Sequence, residues 1–181
     1  MARTATHIAL LRGINVGGKH KLPMKLLAAT FEEHGAREVR TYIQSGNVVF
    51  GASERAAKSL TRRVSEALES ELGFAVPIVT RSAAVWSELV AGNPFLDEAS
   101  DPKQLHLALL DRKPSAAAVA RLDPERSPGD RYVLRDDALY LFCPKGVART
   151  KLTCAYFDRT LECVTTMRNW RTSEKLLALS S

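Results

Sequence analysis

Val39-Arg40-Thr41-Tyr42-Ile43-Gln44-Ser45-Gly46-Asn47-Val48-Val49-Phe50 is the stretch that decides the fold. Two runs rich in β-branched and aromatic residues, 39–43 and 47–50, flank Gln44-Ser45-Gly46. The runs suit strands and the three residues between them suit a tight turn, so the segment reads as a hairpin. Before it comes an apolar strand at 8–11, then a helix opened by Pro23 with Met24, Leu27, Ala28 and Phe31 on one face. Gly35 closes that helix. After the hairpin, Ser53 is placed as an N-cap. Leu60, Val64, Leu68 and Leu72 then form a helical stripe that ends at Gly73. A strand at 76–80 and a helix at 82–91 complete the first half.

The second half reads in the same order. Strands are predicted at 105–110, 131–134, 139–142 and 163–166, and helices at 115–122, 152–161 and 172–179. Each half is therefore β-α-β-β-α-β followed by a helix, the ferredoxin-like or split βαβ order. The expected fold class is α+β: two tandem ferredoxin-like (βαββαβ) subdomains, each followed by an extra helix. The subdomains are 1–92 and 104–181, joined by a linker at 93–103 that contains Pro94 and Pro102. The alternative is that the two form one compact unit. The repeat reads as one of pattern rather than of residue identity.

Apolar residues at 45% and charged residues at 25% are ordinary for a globular chain of 181 residues. No run approaches the 18 apolar residues or so of a membrane span, and no secretory leader is recognised. Cys143, Cys154 and Cys163 are odd in number and lack CxxC spacing, so reduced thiols in the cytoplasm are expected. His7, His20, His34 and His106 have no paired spacing with them, and no metal site is expected. The net charge of +6 is uneven. Residues 1–50 carry +4, residues 51–130 carry −2 and residues 131–181 carry +4. A phosphorylated ligand or nucleic acid suits such poles, and a surface kept basic for solubility accounts for them equally well.

In a β-α-β-β-α-β sheet the first and second strands run the same way. The loop after the first strand and the hairpin turn therefore share one sheet edge. That edge gathers Arg12, Asn15, Gly17, Gly18 and Lys19 with Gln44, Ser45 and Asn47. The opposite edge of the second half gathers Lys145, Arg149 and Lys151 with Arg168, Asn169, Trp170 and Arg171. Gly13-Ile14-Asn15-Val16-Gly17-Gly18-Lys19 matches the G-x-x-x-x-G-K of a phosphate-binding P-loop. The match is set aside for three reasons. His20 stands where Ser or Thr should reach the metal, Pro23 puts the helix start late, and the hairpin implies an antiparallel sheet. A looser loop, with the N–H groups of Gly17 and Gly18 beside Lys19, remains as an anion cradle. The competing structural account is a connection whose glycines supply positive φ. Arg168 with Trp170 reads as an anion clamp with a stacking ring, or as a core Trp anchoring a helix capped by Asn169 or Thr172. No G-x-S-x-G or other nucleophile arrangement is present.

LLRGINVGGK with Met24, TYIQSGNVVF, Asn93-Pro94-Phe95 and Thr166-Met167-Arg168-Asn169-Trp170-Arg171-Thr172 with Lys175-Leu176 resemble a bacterial family named domain of unknown function 1697. The resemblance runs from about residue 6 to 178. It implies a two-part α+β protein of related subdomains and carries no established activity or catalytic residue. The sequence thus points to a cytoplasmic binder of a phosphate-bearing ligand, nucleotide or nucleic acid. Its candidate contacts are Arg12, Asn15, Gly17, Gly18, Lys19, Gln44, Ser45, Asn47, Lys151, Arg168 and Asn169. The alternatives are an enzyme acting on a small phosphorylated substrate and a structural module without a ligand. The sequence indicates no membrane partner and names no cofactor and no oligomeric state.

Overall fold

The structure, a computed structural model, describes residues 4–181. It is α+β, with two four-stranded antiparallel sheets in two similar halves. Its backbone divides into one compact unit that runs to Glu88 and includes Leu176–Ser181, and a second unit, Leu89–Lys175.

In the first unit β1 (Thr4–Leu11), α1 (Met24–Glu33), β2 (Arg37–Tyr42), β3 (Asn47–Ser53), α2 (Glu54–Leu72) and β4 (Ile78–Ser82) follow in order. Helix α3 (Ala83–Ala91) comes next and crosses into the second unit. The sheet order is β2-β3-β1-β4, with β1 antiparallel to both β3 and β4. This order is consistent with a ferredoxin-like unit. Helices α1 and α2 pack on one sheet face, over Ala9, Leu11, Val48 and Phe50. Leu27 and Phe31 of α1 and Leu60, Val64 and Leu68 of α2 are buried there, as the 3.6-residue stripe requires. Ser53 Oγ accepts from Ala56 N at 3.3 Å, and Gly73 at φ 75° ends α2.

The second unit contains β5 (Leu105–Leu110), α4 (Ala116–Val119), β6 (Arg131–Arg135), β7 (Ala138–Phe142), α5 (Cys154–Leu161) and β8 (Thr165–Asn169). Helix α6 (Trp170–Ser180) follows. The sheet order is β6-β7-β5-β8, the same arrangement. Ala108, Leu110, Leu139 and Leu141 meet Leu152, Phe157 and Leu161 in its core.

Several element boundaries differ from the sequence expectation, most by a few residues at an end, as in β1 (Thr4–Leu11), β2 (Arg37–Tyr42), β3 (Asn47–Ser53) and α5 (Cys154–Leu161); four others are instructive. β4 starts at Ile78 because Pro77 has no N–H for the ladder; Val76 is buried but precedes it. β8 is Thr165–Asn169 rather than 163–166. Val164 N is taken by Asp111 Oδ1 at 2.8 Å, and pairing begins only at Leu110–Thr165. α6 starts at Trp170, two residues early, because Asn169 Oδ1 accepts from Thr172 N at 2.9 Å and caps it. α4 shrinks to four residues.

The halves also share residues, not only pattern. His7-Ile8-Ala9-Leu10-Leu11 matches His106-Leu107-Ala108-Leu109-Leu110 in the two central strands. Each copy is clamped alike. Leu11 N donates to Gly46 O at 2.8 Å, and Leu110 N to Asp137 O at 2.9 Å. Arg12 N donates to Pro77 O and Asp111 N to Val164 O, both at 3.0 Å. These bonds tie the end of each central strand to the hairpin turn and to the start of the last strand.

Gly46 shows how tightly that edge is built. A Cβ there would lie 2.6 Å from Leu11 Cβ and 2.7 Å from Ile14 Cδ1, at φ 72°. Gly17, at φ 58°, has open space around it. Gly46→Ala is therefore expected to destabilise by about 2 kcal/mol or more, combining strain and overpacking. Gly17→Ala should cost only about 1 kcal/mol of backbone strain. Denaturant midpoints of the two variants measure the difference. Burial also lowers the pKa of His106 from its ordinary 6.5. The unfolded chain then binds the proton first, so this contribution to stability is complete above pH 6.5 and falls as the pH drops below it. His106→Leu should flatten the decline, read as Tm against pH.

Candidate functional site

The first-unit edge is formed by the loop after β1, the β2–β3 turn and the approach to β4. Asn15 organises it. At φ 55° its amide makes three bonds: Nδ2 donates to Leu22 O at 2.9 Å and to Gln44 O at 2.8 Å, and Oδ1 accepts from Leu22 N at 2.9 Å. The short amide favours this left-handed backbone, and it stitches the loop to the hairpin turn. Asn15 N also donates to His20 O at 3.0 Å.

Beyond Asn15 the chain makes a two-residue turn. Gly17 and Gly18 lie at φ 58° and 74°, and Lys19 N donates to Val16 O at 3.1 Å. Two positive φ values are the mark of a type I′ hairpin turn. No helix follows until Met24, so the geometry is not that of a P-loop. The N–H groups of Gly17 and Gly18 have no acceptor among the described residues and lie at an exposed tip. The side chains of Lys19 and Lys21 are exposed and have no partner among the described residues, whereas Arg12 is half-buried and engaged.

His20 is the residue that sequence reasoning missed. Its backbone is left-handed, at φ 50°. Its ring stacks on Phe74, with centroids 4.3 Å apart and planes 20° from parallel. Nδ1 lies 3.1 Å from Gly13 O, which requires the proton on Nδ1. His20 is nonetheless exposed. The two rings stand far apart in sequence, and neither lies in a motif that would pair them.

Two apolar side chains also stand out: Val16 is 68% exposed and Ile43 48%. Ile43 holds φ 49°, which for a β-branched residue costs on the order of 1–3 kcal/mol. Gln44 and Ser45 are exposed beside it. Asn47 lies inside, at 0% exposure, with Nδ2 donating to Tyr42 O at 3.1 Å.

The structure thus brings Arg12, Asn15, Gly17, Gly18, Lys19, Gln44 and Ser45 to one edge and seats Asn47 beneath them. The loops of that edge, 12–23, 43–46 and 73–77, hold Arg12, Lys19 and Lys21 and no carboxylate. Glu69 and Glu71 belong to the last turn of α2, which leads into the third of these loops. The matching loops of the second unit are different. Arg112 and Lys113 meet Asp111, Asp136, Asp137 and Glu162 there. Arg112 pairs with Asp111 at 2.8 Å and Lys113 with Asp136 at 2.6 Å. That hydrogen bond raises the Lys113 pKa and lowers that of Asp136.

Lys151, Arg168 and Asn169 sit at the opposite edge of the second unit. Lys151 is exposed, with its N–H bonded to Ser127 Oγ at 3.1 Å. Arg168, paired across from Leu107, donates from Nη1 to Met167 O at 2.9 Å. Desolvation lowers its pKa to about 10. Asn169 spends its side chain capping α6, and Trp170 is 3% exposed in the core. Burial pushes the Cys143 thiol up to about 11 and raises Cys163 as well, which disfavours a thiolate nucleophile at either. Among the described residues no group of His, Cys, Asp and Glu is arranged to hold a metal ion, and no helix is long and apolar enough to cross a membrane.

The profile of the family described as "Protein of unknown function (DUF1697)" matches residues 4–140. The chain belongs to that family. It also resembles the solved structure of SP0830, a conserved bacterial protein from Streptococcus pneumoniae, with a TM-score of 0.70 and 19% identity. That likeness covers 99% of this chain and 100% of the other, and it shows a shared fold. No curated protein matches the chain.

Removing the Asn15 amide should loosen this edge. Asn15→Ala leaves Leu22 N without its side-chain acceptor and is expected to destabilise by about 2 kcal/mol, while Lys19→Ala should change stability by less than about 0.5 kcal/mol. Urea unfolding of both variants is the check. Equal losses would show that Asn15 does not hold the loop.

Proposed function

We propose that this member of the family binds a phosphate-bearing ligand, a nucleotide or nucleic acid, at the first-unit edge. Gly17 and Gly18 offer N–H groups, Arg12 and Lys19 offer charge, and Gln44 and Ser45 offer polar side chains. Asn15 and Asn47 hold the loops that carry them. The single observation behind this reading is the asymmetry between equivalent edges. On the first unit's loops the side chains of Lys19 and Lys21 have no partner among the described residues, Arg12 is engaged and no carboxylate is present, while the second unit closes Arg112 and Lys113 in ion pairs. Cations and free N–H groups at one rigid edge suit an anion, because the donors are already placed before it arrives. Lys151, Arg168 and Asn169 make a second candidate edge, weaker because the Asn169 amide is already engaged. Each half is read as a ferredoxin-like subdomain, 1–92 and 104–181, with 93–103 between them. The protein is placed in the cytoplasm, where Cys143, Cys154 and Cys163 stay free thiols.

Isothermal titration with inorganic pyrophosphate and with a nucleoside triphosphate tests this. Lys19→Ala should weaken binding about fivefold or more, the equivalent of roughly 1 kcal/mol. Lys113→Ala, on the matching edge of the second unit, should leave it unchanged. Equal affinity in the wild type, Lys19→Ala and Arg12→Ala would remove this edge as the site.

A further inference from the structure

We infer that His20 is a base-stacking platform and that the ligand of the first-unit edge is single-stranded nucleic acid. This rests on the phosphate-binding reading above and adds to it the class of ligand and the residue that recognises its bases.

Three observations carry the inference. The first is the preparation of the His20 ring. Phe74 covers one side at 4.3 Å, Gly13 O holds Nδ1 at 3.1 Å, and the backbone is fixed at φ 50° by the bond from Asn15 N to its carbonyl. A histidine that is only a surface residue needs none of this, since an exposed ring is solvated in any rotamer. Here the ring is immobilised and still exposed. A flat, pinned, exposed ring is what a nucleobase stacks on, at little cost in ordering the protein. With Nδ1 directed at Gly13 O, Nε2 is the ring nitrogen left to meet the edge of a neighbouring base.

The second observation is the neighbourhood. Lys19 and Lys21 flank His20, and the exposed N–H groups of Gly17 and Gly18 precede them. A stacking ring thus lies between cations and N–H donors within five residues, an order that suits a strand of alternating bases and phosphates. The third is the pair of exposed apolar residues, Val16 and Ile43. Ile43 keeps a left-handed backbone at an exposed position where Gly or Asn would be unstrained. Asn15 joins Gln44 O at 2.8 Å, which fixes the segments carrying both apolar residues to one edge. Two exposed apolar side chains on the edge that carries a stacking ring suit the faces of unpaired bases. Free phosphate or a sugar phosphate would leave all three uncovered. A protruding tip of exposed residues suits a strand laid across it, and base faces become available only when the strand is unpaired.

The test is fluorescence anisotropy with a labelled oligodeoxyadenylate of about twelve nucleotides. It is run beside an abasic strand of equal length, a duplex and inorganic pyrophosphate. Asn tolerates a left-handed backbone, so His20→Asn removes the ring without unseating the loop, and His20→Phe restores a ring. The Tm of each variant confirms that it folds. The oligodeoxyadenylate is expected to bind at least about tenfold more tightly than the abasic strand. His20→Asn should bring it down to the abasic level, and His20→Phe should recover most of the loss. Pyrophosphate affinity should be the same in all three proteins. Abasic and base-bearing strands binding alike, with His20→Asn unaffected, would overturn the platform and leave the phosphate site standing. Tighter binding of duplex than of single strand would overturn the choice of ligand. No binding of any strand or of pyrophosphate would overturn both readings.

Discussion

The first-unit edge depends on the close approach of Gly46 to the end of the central strand. Gly46 lies against Leu11 and Ile14 with no room for a Cβ, and its carbonyl accepts from Leu11 N. This contact seats the β2–β3 turn directly on the last residue of β1. Asn15 can then reach Gln44 O, and the loop from Gly13 to Leu22 becomes an extension of the sheet edge rather than a free excursion. His20 is aimed by the same chain of constraints, because Asn15 N and Gly13 O hold its backbone and its ring.

Much of the fold was legible because its signals are local. The turn residues between 43 and 47, Pro23 at the head of α1, Ser53 as a cap and Gly73 as a stop each act within a few residues. β8 was harder to see. Arg168 and Asn169 look like loop residues, yet they continue the ladder opposite Leu107 and His106. The matching strands His7–Leu11 and His106–Leu110 sit in flanking sequence that has diverged, so the shared identity shows only once both are seen as central strands.

The candidate site was legible in part for the same reason. Topology alone puts the β1 loop and the hairpin turn at one edge, and that inference needs only strand directions. Which side chains face outward does not follow from topology. Asn15 and Asn47 are the same residue type beside glycine-containing turns, yet Asn15 bridges two loops and Asn47, the first residue of β3, is fully buried with its amide on Tyr42 O. The stacking of His20 on Phe74 joins residues far apart in the chain, and no local pattern marks it. The charge contrast between the two halves also required the structure, because only the equivalence of Arg12 with Asp111 and of Gly46 with Asp137 says which loops to compare.

The proposal makes the first-unit edge a surface prepared for a ligand. Amide chemical-shift mapping during titration with a short single-stranded oligonucleotide tests it most directly. Gly17, Gly18, Lys19, His20, Gln44 and Ser45 are expected to shift together and saturate at one ligand concentration, with residues 111–113 and 136–137 unmoved. Shifts confined to the second unit, or spread evenly over all exposed lysines, would contradict it.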